Sequence, residues 1–275
     1  WVAHPRLNPD YEPEVSTKFD LGSVGHTYML RDVGGVRVVD AADWRTKAAK
    51  EARDEARENC QTPILVGQMD EVQKMVAAGR EQIAMLDDEA DRRAFVQGTG
   101  RAEQTLVWKE GEVWCRARLD WEPDLRDVFH DYKTTSASAE PETWARTLYG
   151  FGGDVQAGFY RRGLCAVLGI ELPEWRFIVQ EIKAPYALSV VALGAGALDM
   201  AERKAKWAID TWARCMAEDK WPGYPSKPYY IDPPSYEETR WCAREDQHTA
   251  AREAGIDMFK LALDWQAPLD LGERK

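Results

Sequence analysis

The sequence has little of what thiol-based centres and membrane proteins are built from. Its five cysteines, at positions 60, 115, 165, 215 and 242, are odd in number and widely separated, and no CxxC pair occurs. That spacing argues against a thiolate zinc site, a dithiol redox motif or an iron–sulfur cluster, and implies reduced thiols. No stretch approaches the roughly 18 consecutive apolar residues of a membrane span, and the first residues show no basic, apolar, small-residue signal pattern. A soluble, cytoplasmic protein without a membrane partner is therefore expected. Basic charge is scarce as well: 36 Lys and Arg stand against 47 Asp and Glu, a formal net charge of −11. Without a basic tail or block, any polyanionic partner would need a local cationic groove assembled in space, with metal ions helping to neutralise the carboxylates.

What is present is a chain of 275 residues with 44% hydrophobic content, enough to bury a real core in one large domain. Pro5, Pro9 and Pro13 mark residues 1–20 as an extended arm. A helix is expected from near Leu21, a solvated Ala-, Glu-, Lys- and Arg-rich helix over 41–59, and another from Met69 to Ala94, where Val72, Met75, Val76 and Ile83 recur at helical spacing. The period then changes to two. Residues 102–109 alternate, and over 113–120 Val113, Cys115, Ala117 and Leu119 take one face while Trp114, Arg116, Arg118 and Asp120 take the other. A third strand, VFHDYKTT, puts Phe129, Asp131 and Lys133 on one face and Val128, His130 and Tyr132 opposite. Pro141 opens a helix to about Leu168, two strand-like runs start at Trp175 and Tyr186, and a long helix spans Ala195 to Asp219. This order predicts an α/β sandwich with a central mixed sheet flanked by helices, occupying residues 21–240, followed by a C-terminal helical extension over 241–275.

Asp120 at the end of one strand and Asp131 within the next are joined by a short turn, so a hairpin can bring both carboxylates to one point, with Lys133 two residues on. Two converging carboxylates suit Mg²⁺ or Mn²⁺, and the Tyr132 carbonyl between the functional side chains can add an oxygen. Acids, divalent ions and a lysine are the parts phosphodiester hydrolysis needs, because a weak nucleophile must attack an anion. Taken alone, Asp-x-Lys is weak. Glu181-Ile182-Lys183, Glu202-Arg203-Lys204, Glu218-Asp219-Lys220 and Glu273-Arg274-Lys275 repeat the pattern, and those on helices read as surface ion-pair residues. Strand context and the second acid distinguish Asp131-Tyr132-Lys133. Arg116 and Arg118 share the Asp120 face, where either a phosphate or nearby acids could engage them.

Several ordered stretches resemble one family: LGSVGHTYMLR, RTKAAKEARDEAREN, RAEQTLVW, CRARLDW, HDYKTT, VQAGFY, VQEIKAPYALSV and KWPGYP. Together they resemble the phage-type exodeoxyribonuclease VIII (RecE-like) branch of the PD-(D/E)XK nuclease superfamily. The resemblance implies that His26, Asp120, Asp131 and the Tyr132 carbonyl are metal ligands, Lys133 the catalytic lysine and Glu103 a further acid near the metals. It matches Gln156 and Tyr160 to a Q-x-x-x-Y helix motif, whose i, i+4 spacing also puts both on one helical face. It implies two Mg²⁺ or Mn²⁺ ions, hydrolysis from the ends of linear double-stranded DNA in phage-type recombination, a trimeric or tetrameric homo-oligomer ring, a single-strand annealing protein as partner, and a bacterial host cytoplasm. Alternatives are an endonuclease or RecB-like nuclease module of the same fold, or an inactive DNA-binding scaffold. Blander readings stand beside these: a helical histidine is often structural, and Gln156 with Tyr160 could be a core-edge pair.

Overall fold

The computed structural model describes residues 17–30 and 35–257, with side chains from Leu21. The chain divides into two compact units, 1–221 and 222–275. The first begins with α1 (Thr17–Leu30), so residues 17–20 of the expected arm are helical; residues 1–16 lie outside the described residues. There follow β1 (Val36–Val39), α2 (Lys47–Glu58), β2 (Thr62–Leu65), α3 (Val66–Ala84) and α4 (Glu89–Arg92). The sheet-forming half comprises β3 (Gly100–Glu110), β4 (Val113–Pro123), β5 (Val128–Thr135), α5 (Pro141–Phe151), α6 (Gly153–Leu168), β6 (Glu174–Glu181), β7 (Leu188–Ala192) and α7 (Ala195–Glu218). Among the described residues no helix is long and apolar enough to cross a membrane.

Local chemistry sets several of these boundaries. Thr46 caps α2 by accepting the Ala49 N–H at 3.2 Å, which starts that helix six residues after the expected 41. The helix expected over 69–94 is two, because the chain leaves α3 at Met85 and Asp88 caps α4 by accepting the Ala90 N–H. The helix expected from Pro141 to Leu168 is also two. Gly152 adopts a left-handed φ of 79°, closing α5 and opening α6. Four-residue β1 and β2 form a separate parallel pair that the sequence did not announce.

The main sheet has the order β3-β4-β5-β6-β7, antiparallel except between β5 and β6, whose parallel pairing is spanned by α5 and α6. One core, with Leu119, Phe129, Trp144, Leu164 and Phe177, lies under α5, α6 and α7. The other, with Met29, Met75, Val76, Tyr132 and Ile178, lies under α1 and α3. Alternation along β5 therefore feeds both layers: Phe129 enters the first and Tyr132 the second. This is the expected α/β sandwich with a mixed central sheet.

The second unit contains α8 (Ser235–Glu253), with Glu237 and Glu238 in its first turn and Arg252 in its last, a charge order that suits the helix dipole. The helix runs unbroken through residue 240, so the boundary expected there falls inside it. Residues 258–275 of the expected C-terminal extension lie outside the described residues.

Candidate active site

The site forms where two neighbouring strands stop pairing. β4 and β5 share one ladder pair, Trp121 with His130. Just beyond it the Tyr132 N–H donates not to a β4 carbonyl but to the Asp120 carboxylate, at 2.8 Å. The opening is thus lined by a side chain where a backbone bond would otherwise run. On the other edge of β4, Asp120 stands opposite Glu103, the one position between Gly100 and Glu110 where the β3–β4 ladder is interrupted. Glu103 has φ 57°, a left-handed conformation that costs a residue with a side chain about 1–2 kcal/mol.

Helix α1 brings the histidine. Gly22 and Gly25, where a Cβ would press on Thr134 and on the buried Met75 side chain, let α1 lie close on β5. His26 Nε2 then sits 2.9 Å from Asp120 Oδ2, and its Nδ1 lies 3.8 Å from Glu103 Oε1. His26, Glu103 and Asp120 can each offer a ligand atom within 4.8 Å of the others. Glu103 also meets the Arg118 guanidinium, at 2.6 Å.

Asp131 lies outside that trio. Fully buried on β5, it bonds Lys133 through Oδ2 and accepts the Gln156 amide through Oδ1 at 2.6 Å. Tyr160, one turn beyond Gln156 on α6, stacks edge-on against Trp175 and is close enough to feel the charges of Asp131, Asp120 and Lys133. Of the residues singled out in the sequence, six gather at the divergence of β4 and β5 in two groups, His26, Glu103 and Asp120 on one side and Asp131, Lys133 and Gln156 on the other, with Tyr160 beside the second. A cavity of about 590 Å³ opens over them, bordered by His26, Glu103, Arg118, Tyr132 and Lys133.

Electrostatics couple the two groups. Burial and the Asp120 charge push the Asp131 carboxyl up to about 7, against the pull of Lys133 and His26. For Lys133, burial works to lower the pKa, but Asp131 and Asp120 outweigh it and hold the ammonium above its ordinary value. Burial likewise opposes the charge on His26, and its hydrogen bond to Asp120 with the charges of Asp120, Glu103 and Asp131 raises it. His26, Glu103 and Asp120, whose ligand atoms lie within 4.8 Å of one another, form a donor set suited to a hard divalent cation, with Asp131 beside them. The residues present fit such an ion.

Sequence reasoning missed what holds the Asp131–Tyr132–Lys133 backbone in place. The Tyr132 hydroxyl donates to Gln180 Oε1 at 2.5 Å, and Gln180 Nε2 donates to the Met75 carbonyl at 2.9 Å. Gln180 is completely buried in β6. A polar residue ending the apolar run Phe177-Ile178-Val179 was the signal, since a buried amide must find partners.

A mixed sheet whose diverging strands present an acid each, with a lysine two residues after the second, defines a PD-(D/E)XK nuclease-like domain. The sequence pattern of the PDDEXK-like domain of unknown function (DUF3799) matches residues 4–233, and the chain belongs to that family. Among curated proteins none matches. Of solved structures, the fold is similar to that of a candidate exonuclease from Eubacterium rectale, at TM-score 0.52 and 12% identity, covering 85% of this chain and 83% of that one.

Proposed function

We propose that the protein is a divalent-metal-dependent DNA exonuclease that hydrolyses phosphodiester bonds from the ends of linear double-stranded DNA. The observation that carries this reading is the fully buried Asp131 beside the Asp120 carboxylate, with Lys133 bonded to it and His26 bonded to Asp120. His26, Asp120, Asp131 and the Tyr132 carbonyl would hold one or two Mg²⁺ or Mn²⁺ ions, with Glu103 beside them. Such ions lower the pKa of water and polarise a phosphoryl oxygen.

The chain's own residues have distinct tasks. Lys133 carries a firmly retained positive charge into a buried site, where it can stabilise the charge that builds on the phosphate in the transition state. Gln156 fixes one Asp131 oxygen and thereby the carboxylate's orientation. His26 sets Asp120 from the helix side, while the Tyr132 N–H sets it from the sheet side. Tyr160, beside this group on α6, would position DNA or the Lys133 region.

Support for the exonuclease form of the activity comes from the resemblance of the ordered stretches to the exodeoxyribonuclease VIII branch and from the candidate-exonuclease neighbour. With net charge −11, one subunit has little general attraction for DNA. A closed trimer or tetramer would converge several cationic patches on a channel that duplex must enter by an end. The same reading places the protein in a host cytoplasm, in phage-type recombination, beside a single-strand annealing protein. The test is digestion of end-labelled linear duplex and of covalently closed circles, with and without Mg²⁺, together with solution mass by light scattering. Progressive, Mg²⁺-dependent loss of linear DNA alone is expected. Undiminished cleavage in excess EDTA would remove the metal mechanism, and a monomer that cuts closed circles as fast as linear DNA would favour an endonuclease.

A further inference from the structure

An acidic protein that works on DNA must hold it somewhere, and the β3–β4 hairpin offers a place. Beyond the facing pair Glu103 and Asp120, the same face continues outward as three cross-strand pairs: Thr105 with Arg118, Val107 with Arg116, and Lys109 with Trp114. All six side chains are exposed, in contrast to Leu106, Trp108, Cys115 and Ala117 on the other face. None of the six is acidic and three are cationic. Lys109 reaches Glu112 at the hairpin tip and Arg118 reaches Glu103 at the site. Arg116, between them, has no ion-pair or hydrogen-bond partner among the described residues. Trp114 leaves 69% of its surface in water. Beside this stretch a groove of about 350 Å³ opens toward α6 and α7, lined among others by Trp114, Arg116, Phe159 and Ile209.

An exposed indole is costly to leave unused, and an unpaired guanidinium in a chain of net charge −11 stands out from the paired ones around it. Side chains on one face of a strand repeat at about 6.8 Å, so Trp114, Arg116, Arg118 and Asp120 form a ladder of evenly spaced groups that ends at the site. An aromatic followed by cations at regular intervals is the chemistry that binds a single nucleic-acid strand: bases stack on the ring and phosphates pair with the guanidinium groups. A phosphate can also take Arg118 from Glu103, releasing that carboxylate for the metal side of the site.

We propose that the outer face of the β3–β4 hairpin is the path by which one strand of the DNA substrate runs to or from the site, Trp114 stacking a base and Arg116 and Arg118 contacting phosphates. The proposal rests on the nuclease reading and deepens it by locating the cationic groove that the overall charge conceals.

The experiment measures binding of a fluorescein-labelled duplex bearing a single-stranded tail, by anisotropy over a range of salt, with the Lys133→Ala substitution as a common background so that the probe survives. Adding Trp114→Ala is expected to weaken binding about five- to 150-fold, the range for one stacked base, with Trp114→Phe recovering most of the loss. Adding Arg116→Ala is expected to flatten the slope of log affinity against log salt by about 0.7, and Arg116→Lys to restore it. A fold defect would not move that slope and be rescued by charge. Unchanged affinity and slope in both alanine variants would overturn the path, and if wild-type protein still digests linear DNA the nuclease reading stands without it. A change in solution mass on Trp114→Ala with unchanged DNA binding would overturn it too, assigning the face to a second copy of the chain. No binding and no cleavage by any form would remove both.

Discussion

Two buried clusters of acids and bases meet on adjacent residues of β5, and they are solved in opposite ways. At His130, the ring Nε2 lies 2.7 Å from Asp91 Oδ1, and Arg176 reaches Asp88 and Asp91, each at 2.8 Å, as well as Glu174. Burial works to raise the Asp91 pKa, but the bonds from His130 and Arg176 outweigh it and hold the carboxyl below its usual range. At Asp131, one residue later, burial is joined by the repulsion of Asp120, and the carboxyl rises to about 7 despite Lys133. The first cluster carries its own counter-charge and acts as a strut between α4, β5 and β6. The second has Lys133 on Asp131, but that ammonium does not offset burial and the charge of Asp120. Asp131 is bonded through both oxygens and yet resists ionising beside Asp120, a setting in which an added cation would relieve the repulsion.

The largest expected effect breaks the unsolved cluster. Lys133→Ala should lower the cleavage rate about 10²- to 10³-fold, the scale of losing a group that stabilises transition-state charge, while leaving Mn²⁺ affinity largely intact. Asp131→Ala should lower both. Single-turnover digestion with calorimetric Mn²⁺ titration separates the two outcomes, and equal loss of metal affinity in both variants would make Lys133 part of the metal site instead.

Removing a member of the solved cluster should do the reverse. Arg176→Ala leaves the buried Asp91 with His130 as its remaining partner, so about 3 kcal/mol of stability should be lost. Metal affinity in the surviving folded fraction should stay within about twofold of wild type. Urea melts and metal titration measure these, and a metal-binding loss that outruns the stability loss would mean the two clusters are not independent.

The clusters also differ in how visible they were. Asp120, Asp131 and Lys133 were legible because strand alternation and a short turn gather residues that lie close in sequence. Asp91, His130 and Arg176 are 39 and 46 residues apart along the chain and meet only through packing of α4 on the sheet, which no local period encodes. The same limit explains the missed β1–β2 pair: four-residue strands, one containing Pro63, are too short for alternation to register. The helix breaks at Gly152 and near Asp88 were written in the turn chemistry but outweighed by helical spacing on either side. That Asp131 would turn to Lys133 and Gln156, while Asp120 turns to His26 and Glu103, depends on how β4 leaves β5. One-dimensional pattern carries no such information.

In pH the clusters should oppose each other. The Asp131 carboxyl keeps its proton to about pH 7 in the metal-free fold but releases it near 4 when unfolded, so between those values the native state binds more protons and stability falls as pH rises. Asp91 and Asp88, held low, contribute stability that is present above the ordinary carboxylate pKa and lost as pH drops through their lowered values. Metal-free protein should therefore be less stable at pH 8 than at pH 5.5 by about 2 kcal/mol from Asp131, allowing for its coupling to Lys133. Mg²⁺ should stabilise more at pH 8 than at pH 5.5. Denaturant melts at both pH values with and without Mg²⁺ test this, and a flat profile in Asp131→Asn would attribute the slope.

The smallest effect sharpens the contrast at backbone level. Both clusters join a helix to the sheet, but only the second includes a strand residue bent out of the allowed strand conformation, Glu103 at φ 57°. Strain of that kind persists where surrounding contacts over-determine it, here the Arg118 pair and the approach to His26. Glu103→Ala and Glu103→Gly both remove the carboxylate, so their difference isolates the backbone. In an ordinary strand, alanine is the more stable of the two. At Glu103 the order should invert, with the glycine variant more stable by about 1 kcal/mol, because glycine alone adopts positive φ without a Cβ penalty. Both variants should lose metal affinity to the same extent, since both lack the carboxylate. Paired thermal melts and Mn²⁺ titrations decide the matter: alanine above glycine in stability would mean the β3 backbone relaxes to an ordinary ladder opposite Asp120, and that the site's geometry is held by the side chains alone.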